Sequence, residues 1–318
     1  MGLLLALFLS RGAYSTAVRP ELRDDVIFYK ETDYFTIKTV DVSRSDSVNR
    51  LRAMVLDNLV HSLSDLDDPL HLEYRYEQLC AEFFAWRFPD RQASLKSLMI
   101  GGGGYTFPRY MEAVYPQAGI DVVELDPEVM KTAFEYMGLP RDTRIHSFTV
   151  DGRWFVRNST AVYDVIFIDV FNDLSMPPHL TTYEFALEVR RILKPDGFLL
   201  VNIVDHFREG LFLPAYLRTL MAVFGDDHVH LLTISPLFDT VKTATCIVLV
   251  SKGPHGIEGF ESFINRKGKE KATAFLVPAD VMRKYITDRS SVMLTDEFMP
   301  VDNLIAPVFQ ERFGDKRY

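Results

Sequence analysis

Ser97-Leu98-Met99-Ile100-Gly101-Gly102-Gly103-Gly104, followed by Gly119-Ile120-Asp121-Val122-Val123-Glu124, is the stretch whose reading decides the fold. Each half is a short apolar run that ends in residues able to meet a ligand, and helix-compatible sequence lies between them. Glycines at such an end let the backbone approach a ligand closely and adopt positive φ, a need that a plain tight turn shares. An acid about twenty residues after a glycine turn can accept hydrogen bonds from both hydroxyls of a ribose. Asp126-Pro127-Glu128-Val129 then opens a further helix, with Asp126 a good N-cap and Pro127 suited to the first helical position.

The same rhythm continues toward the C-terminus. Apolar runs recur over 145–150, at Tyr163-Asp164-Val165-Ile166-Phe167-Ile168 and at Gly197-Phe198-Leu199-Leu200-Val201-Asn202-Ile203. Leu231-Leu232-Thr233-Ile234 and Ala244-Thr245-Cys246-Ile247-Val248-Leu249-Val250 complete the set, close together and without a helix between them. Strands alternating with helices at this spacing predict a doubly wound, mostly parallel α/β sheet, and the final pair predicts an antiparallel edge. Toward the N-terminus the texture differs. Ile27-Phe28-Tyr29, Tyr34 to Val40 and Arg52-Ala53-Met54-Val55-Leu56 read as strands, the last ending at the turn-prone pair Asp57-Asn58. From Tyr74 to Trp86 the pattern is helical, and Pro89 closes it. The expected organisation is an apolar segment over 1–20, a small antiparallel β-region over 21–75 and a Rossmann-like catalytic domain over 76–318.

Composition narrows the partners. Of 318 residues 47% are hydrophobic and 25% charged, which excludes a mainly disordered chain. The net charge of −9 suits a small cation better than a nucleic acid, whose phosphates demand clustered Lys and Arg. The two cysteines, Cys80 and Cys246, have no metal-ligand spacing, so neither a metal nor a disulfide framework is expected and a reducing, cytoplasmic setting is. Residues 2–9 form an apolar run ended by Arg11, shorter than the ~20 residues of a membrane span. It reads as a buried element, a membrane-surface anchor or the stump of a larger membrane region.

In open α/β sheets ligands bind beyond the carboxyl ends of the strands. Those ends here are Gly101 to Gly104, Glu124, Asp151-Gly152 and Asp169. Their coincidence at four consecutive strand ends predicts one nucleotide site. Phe107 and Pro108 occupy the place where a dinucleotide-binding loop has its third glycine, and Asp151 is placed to read an adenine amino group. Both features favour an S-adenosyl ligand over NAD.

These motifs resemble those of the spermidine synthase (polyamine aminopropyltransferase) family. The resemblance rests on Leu98 to Gly103, Val123 to Val129, Asp151-Gly152-Arg153-Trp154-Phe155 and Tyr163 to Asp169. Asp169-Val170-Phe171, Pro178-His179-Leu180-Thr181-Thr182-Tyr183-Glu184-Phe185, Leu294 to Phe298 and Pro300 to Leu304 are most similar to the spermidine synthase-like domains fused to membrane transporter-like regions, as is Glu73-Tyr74-Arg75-Tyr76-Glu77. The resemblance implies a methyltransferase-type Rossmann-like fold and a homodimer. It implies transfer of an aminopropyl group from decarboxylated S-adenosylmethionine to a small amine such as putrescine, with no metal. It makes Asp169 the catalytic aspartate and Tyr76 its assisting tyrosine. Gly101, Gly103, Glu124, Asp151, Gly152 and His61, the last where the family usually has glutamine, become nucleotide ligands.

Two departures from the family pattern stand out. Gly104 occupies the place of a loop aspartate that holds the donor's amine and repels a carboxylate, so intact S-adenosylmethionine becomes admissible. Asn172 falls where the family has a second aspartate after the fourth strand, with Asp173 one residue later as a candidate substitute in substrate binding. His179 either lines the acceptor pocket, serves as a base or fixes a loop. Tyr105 either caps the nucleotide or packs against Phe107. The rival functions are an S-adenosylmethionine-dependent small-molecule methyltransferase and a non-catalytic nucleotide- or polyamine-sensing domain reporting to a membrane partner.

Overall fold

The computed structural model describes residues 25–43, 49–172, 174–234, 242–254, 256–266 and 273–314. The apolar run over 2–9 and Asp173 lie outside the described residues. The chain opens with a four-stranded antiparallel sheet in sequential order: β1 (Val26–Glu31), β2 (Thr36–Asp41), β3 (Leu51–Leu56) and β4 (Leu59–Asp65). Asp57-Asn58 makes the two-residue turn between β3 and β4. Asp57 takes φ 52° there, which aspartate tolerates better than most residues, and its Oδ1 accepts from Thr36 N at 2.8 Å. The sequence reading singles out no strand after this turn. The buried side of β4 includes Ser62, Ser64 and Asp65, so the apolar alternation that marks a strand is missing.

Helix α1 (Arg75–Arg87) leads into an eight-stranded sheet: β5 (Lys96–Ile100), β6 (Gly119–Glu124), β7 (His146–Thr149), β8 (Tyr163–Ile168), β9 (Leu193–His206), β10 (Val229–Thr233), β11 (Thr243–Ser251) and β12 (Phe275–Leu276). Its order is β12-β10-β11-β9-β8-β5-β6-β7. Strands β5 to β9 are parallel, and Ile100 is in register with Val123 on one side and Ile168 on the other. The carboxyl ends of β5, β6 and β8 therefore stand level. β5 is also where the direction of winding reverses, the crevice at which open sheets bind ligands. This is the expected Rossmann-like, methyltransferase-type fold with its small antiparallel sheet at the N-terminal side. The expected antiparallel pair, β10 and β11, lies toward one edge, with β11 between β9 and β10 and the short β12 added outside it.

Alternate residues of each central strand enter opposite cores, as the two-residue period of a strand requires. Leu98, Ile100, Ile166 and Ile168 pack with α5 (Tyr183–Ile192) and α6 (Phe212–Phe224) after α4 (Gly152–Asn158). Met99, Val122, Val165 and Phe167 pack with α1, α2 (Thr106–Val114) and α3 (Pro127–Tyr136). α7 (Phe260–Asn265), α8 (Ala279–Arg289), α9 (Val301–Leu304) and α10 (Ala306–Phe313) complete the chain. Cys80 and Cys246 are buried free thiols. No helix among the described residues is long and apolar enough to cross a membrane.

Asp126 caps α3 as expected: its Oδ1 accepts from Glu128 N at 2.8 Å. Its Oδ2 accepts from Thr32 Oγ1 at 2.6 Å, which ties the β1–β2 turn to the large sheet. Asp126→Ala is expected to lower stability by about 1–2 kcal/mol, the range for a lost cap. Urea denaturation reads this as a shifted midpoint with an unchanged slope.

Candidate active site

A cavity of about 430 Å³ opens over the carboxyl ends of β5, β6 and β8. Its floor is the glycine turn. Gly101 N donates to Val123 O and Asp169 N to Ile100 O, at 2.8 and 2.9 Å, so the sheet's hydrogen bonding continues into the loops. Gly101 takes φ 98°, and a Cβ on it would stand 2.0 Å from the carbonyl oxygen of Asp169. Only glycine lets these two strand ends come this close.

Glu124 organises the turn from the next strand. Its Oε2 accepts from Gly102 N and Gly103 N at 2.9 and 3.2 Å, and its Oε1 accepts from Asp126 N at 3.0 Å. Burial raises its pKa, and these N–H donors oppose the rise. A carboxylate has about four acceptor sites, so three backbone bonds leave capacity for a ligand hydroxyl.

Asp151 sits at the third strand end as the N-cap of α4, its Oδ1 accepting from Trp154 N at 2.9 Å. Its Oδ2 lies 2.8 Å from His179 Nε2. Burial raises its pKa, but the Trp154 N–H, the His179 ring and the Arg153 N–H outweigh burial and hold it below the usual carboxylate range. Gly152 follows, packed so closely on β5 that a Cβ would meet Ile100 Cγ2 at 2.6 Å.

Asp169 closes the constellation. Tyr76 Oη donates to its Oδ2 at 3.0 Å, and Asn202 Nδ2 donates to its Oδ1 at 2.8 Å. Burial raises the Asp169 pKa, while the bonds from Asn202 and Tyr76 lower it. The phenol of Tyr76 is pushed well above its ordinary value by burial and by the Asp169 charge. Residues 76 and 169, paired only by resemblance in the sequence, are thus within one hydrogen bond.

His61, from β4, also lines the cavity. Burial lowers its pKa to about 4, so the imidazole is neutral, and its Nε2 has no hydrogen-bond partner. Ser62 beside it accepts from Gly104 N at 2.8 Å. A Cβ at Gly104 would lie 2.7 Å from Ser62 Cβ, so the place of the family's loop aspartate is filled by the small sheet.

Tyr105 is fully buried against the glycine turn, with its hydroxyl donating to Ser147 Oγ at 3.0 Å. His179 lines the cavity at the third strand end, bonded to Asp151. Gly101, Gly103, Glu124, Asp151, Gly152, His61, Tyr76 and Asp169 all face the one cavity.

Glu77 and Asn202 were not singled out from the sequence, and both line it. Glu77 is buried, its Oε2 has no hydrogen-bond partner, and burial and then the Asp169 charge push its pKa well above the usual range. Asn202 spends its amide N–H on Asp169 and leaves Oδ1 without a partner. The signals were present. Glu77 shares a helix face with Cys80, Ala81 and Phe84, and Asn202 interrupts an apolar run. No group of three or more His, Cys, Asp or Glu side chains among the described residues is arranged to hold a metal ion.

A probable polyamine aminopropyl transferase of Bifidobacterium longum is 28% identical over 224 residues, 65% of this chain and 48% of that protein. An eEF1A lysine and N-terminal methyltransferase of Homo sapiens is 30% identical over 142 residues, 41% of this chain and 20% of that protein. The chain thus spans about half or less of the length of these curated relatives. The crystal structure of a probable spermidine synthase from Corynebacterium glutamicum superposes with a TM-score of 0.70 at 25% identity, covering 84% of this chain and 95% of that one. Residues 91–233, the segment that carries the glycine turn, Glu124, Asp151 and Asp169, match the spermine/spermidine synthase domain.

Proposed function

We propose that the protein is an aminopropyltransferase that moves the aminopropyl group of decarboxylated S-adenosylmethionine onto a small amine such as putrescine. The observation that carries this reading is the chemistry of one cavity end. Around Asp169 the donors Tyr76 Oη and Asn202 Nδ2 are already spent on its carboxylate. What stays unpartnered there is Asn202 Oδ1, an acceptor, and Glu77 Oε2, an acceptor in the ionised form that a bound cation favours against the burial that raises its pKa. An ammonium group brings three donors and no acceptor, so it fits this end and satisfies buried atoms that are otherwise costly. The cationic Arg312 of α10 also lines this cavity and lowers the His61 pKa further.

The remaining residues divide the donor among them. Glu124 takes a ribose hydroxyl, Asp151 and Gly152 face the adenine, and Gly101 and Gly103 let the turn lie against the nucleoside. The neutral His61 offers one uncharged ring nitrogen beside the loop. Asp173 stays a proposed substrate contact outside the described residues. An aliphatic amine has a pKa of about 10 and must shed a proton before its lone pair can attack. Asp169 orients the ammonium and accepts that proton, and burial makes it a stronger base than an exposed carboxylate. The nitrogen lone pair then forms a bond to the methylene beside the sulfonium. The carbon–sulfur pair returns to sulfur, and methylthioadenosine leaves.

The test is incubation with decarboxylated S-adenosylmethionine and a panel of diamines, with methylthioadenosine release as the readout. Glu77→Gln is expected to raise KM for the diamine about tenfold, the cost of one charge-assisted bond, with a smaller change in kcat. The absence of a carboxylate at Gly104 favours one competing reading, methyl transfer from intact S-adenosylmethionine. Tight calorimetric binding of that form alone would decide for it, and nucleotide binding without turnover on any amine would decide for a sensing domain.

A further inference from the structure

Glu77 is a buried carboxyl in a setting unlike that of Asp169. It stands on α1 beside Tyr76, is 4% exposed and lines the same cavity. Its Oε2 has no hydrogen-bond partner, and the charges that act on it, those of Asp169 and Glu73, are both negative. Asp169 has a donor at each oxygen, Tyr76 Oη on one and Asn202 Nδ2 on the other. The other titratable groups near the pair bring no compensating charge. Burial and then Asp169 hold the Tyr76 phenol and the Cys80 thiol well above their ordinary pKa values, so both are neutral, as is the His61 ring. Arg312 lines the cavity too, but its charge acts on His61 and not on Glu77 or Asp169.

Two carboxylates facing one water-poor cavity each oppose the ionisation of the other, so without a cation one of them keeps a proton. The proton belongs on the carboxyl whose charge is less well solvated. That is Glu77, since two donors stabilise the charge of Asp169 and none reaches Glu77 Oε2. We propose that Glu77 and Asp169 hold one proton between them in the free protein, resident on Glu77, and that an entering ammonium displaces it. Both carboxyls then meet the ammonium as anions, and amine binding is linked to proton release. Asp169 afterwards takes the proton of the nucleophile and passes it to solvent. Glu77 regains its own proton from solvent when the product leaves, so one net proton is released per turnover. The inference rests on the reading of this cavity end as the amine site, but it concerns the charge state in which that site meets the amine and not which group is transferred.

Calorimetric titration of putrescine into the protein saturated with methylthioadenosine tests it, because that complex has no aminopropyl group to give. The heats in buffers of different ionisation enthalpy yield the protons released per amine bound. Scanned from the ordinary carboxylate range upward, the unsubstituted protein is expected to release up to about one proton more than Glu77→Gln at the same pH. Where it does so, its affinity should gain about tenfold per pH unit on that of the variant. Glu77→Asp keeps a carboxyl and should keep the release, a rescue that a merely structural role does not predict. Infrared difference spectra of the unsubstituted protein need no variant: the carbonyl band of a protonated carboxyl should disappear as putrescine binds. Equal proton release in the unsubstituted protein and Glu77→Gln overturns the proposal, because the proton then comes from the amine itself or from Asp169. A carboxyl band that putrescine leaves unchanged overturns it as well, and either result leaves aminopropyl transfer standing. Failure of the methylthioadenosine complex to bind any diamine removes the amine-site reading and the proposal together. The expected release without turnover of decarboxylated S-adenosylmethionine removes only the proposed activity.

Discussion

Asp169→Asn is expected to lower kcat about a thousandfold while leaving methylthioadenosine affinity within about threefold, because general-base terms are worth about 10²–10⁴. The substitution is gentle on the fold. Asn202 Nδ2 can still donate to the new carbonyl oxygen, and the Tyr76 hydroxyl can rotate to accept from the new amide, so both neighbours of the carboxylate keep a partner. What is lost is the proton acceptor and the negative charge that steadies an ammonium. The pH dependence carries a second signature. Burial raises the Asp169 pKa, so the active, ionised form is reached only above the ordinary carboxylate range. The rate should therefore rise with pH above that range, and the limb should vanish in the residual activity of the variant. A variant with unchanged kcat, or with the acid limb intact, would remove Asp169 from the role of base.

Gly101→Ala is expected to be the most damaging small substitution in the site. The added carbon would stand 2.0 Å from Asp169 O, on a residue whose φ is 98°. No flexible side chain can yield there, since the opposing atom is backbone. The β5 and β8 loops must separate, at a cost of about 2–4 kcal/mol in stability. A shift of about 1 Å in the reacting geometry is worth about a hundredfold in rate, so activity should fall further than stability explains. Gly259→Ala is the control. Gly259 also has positive φ, 82°, but nothing lies within 4 Å of its Cβ position. Only the conformational cost applies, about 1–2 kcal/mol, and catalysis should be unaffected. Thermal unfolding and single-turnover rates on the two variants separate steric from conformational cost. Equal effects in both would mean that the Gly101–Asp169 approach has no catalytic importance.

The contrast between what was legible in the chain and what was not follows range. β6 and β8 begin and end where their apolar runs do, and Asp126 caps the helix that Pro127 opens, because these features depend on near neighbours. Glu124 and Asp169 were legible for the same reason, since each ends or directly follows a buried run, whereas Asp151 follows the largely exposed β7. β4 was not, because its polar inward residues have meaning only against distant partners, Ser62 against the glycine turn and Ser64 against Thr106 of α2. Glu77 and Asn202 were visible as polar interruptions of apolar patterns, but a pattern does not say that two interruptions will meet.

The amino-acid order by itself determined the α/β alternation, the acids that end the strands and the glycines that must lie beneath a ligand, since periodicity and backbone sterics act over a few residues. The tertiary structure alone decided which side chains share an environment. Tyr76 reaches Asp169 across 93 residues, Gly104 meets Ser62 across 42, and His179 turns to Asp151 across 28. Burial, and with it the raised pKa of Asp169 and the neutral ring of His61, exists only once those segments have excluded water from one another.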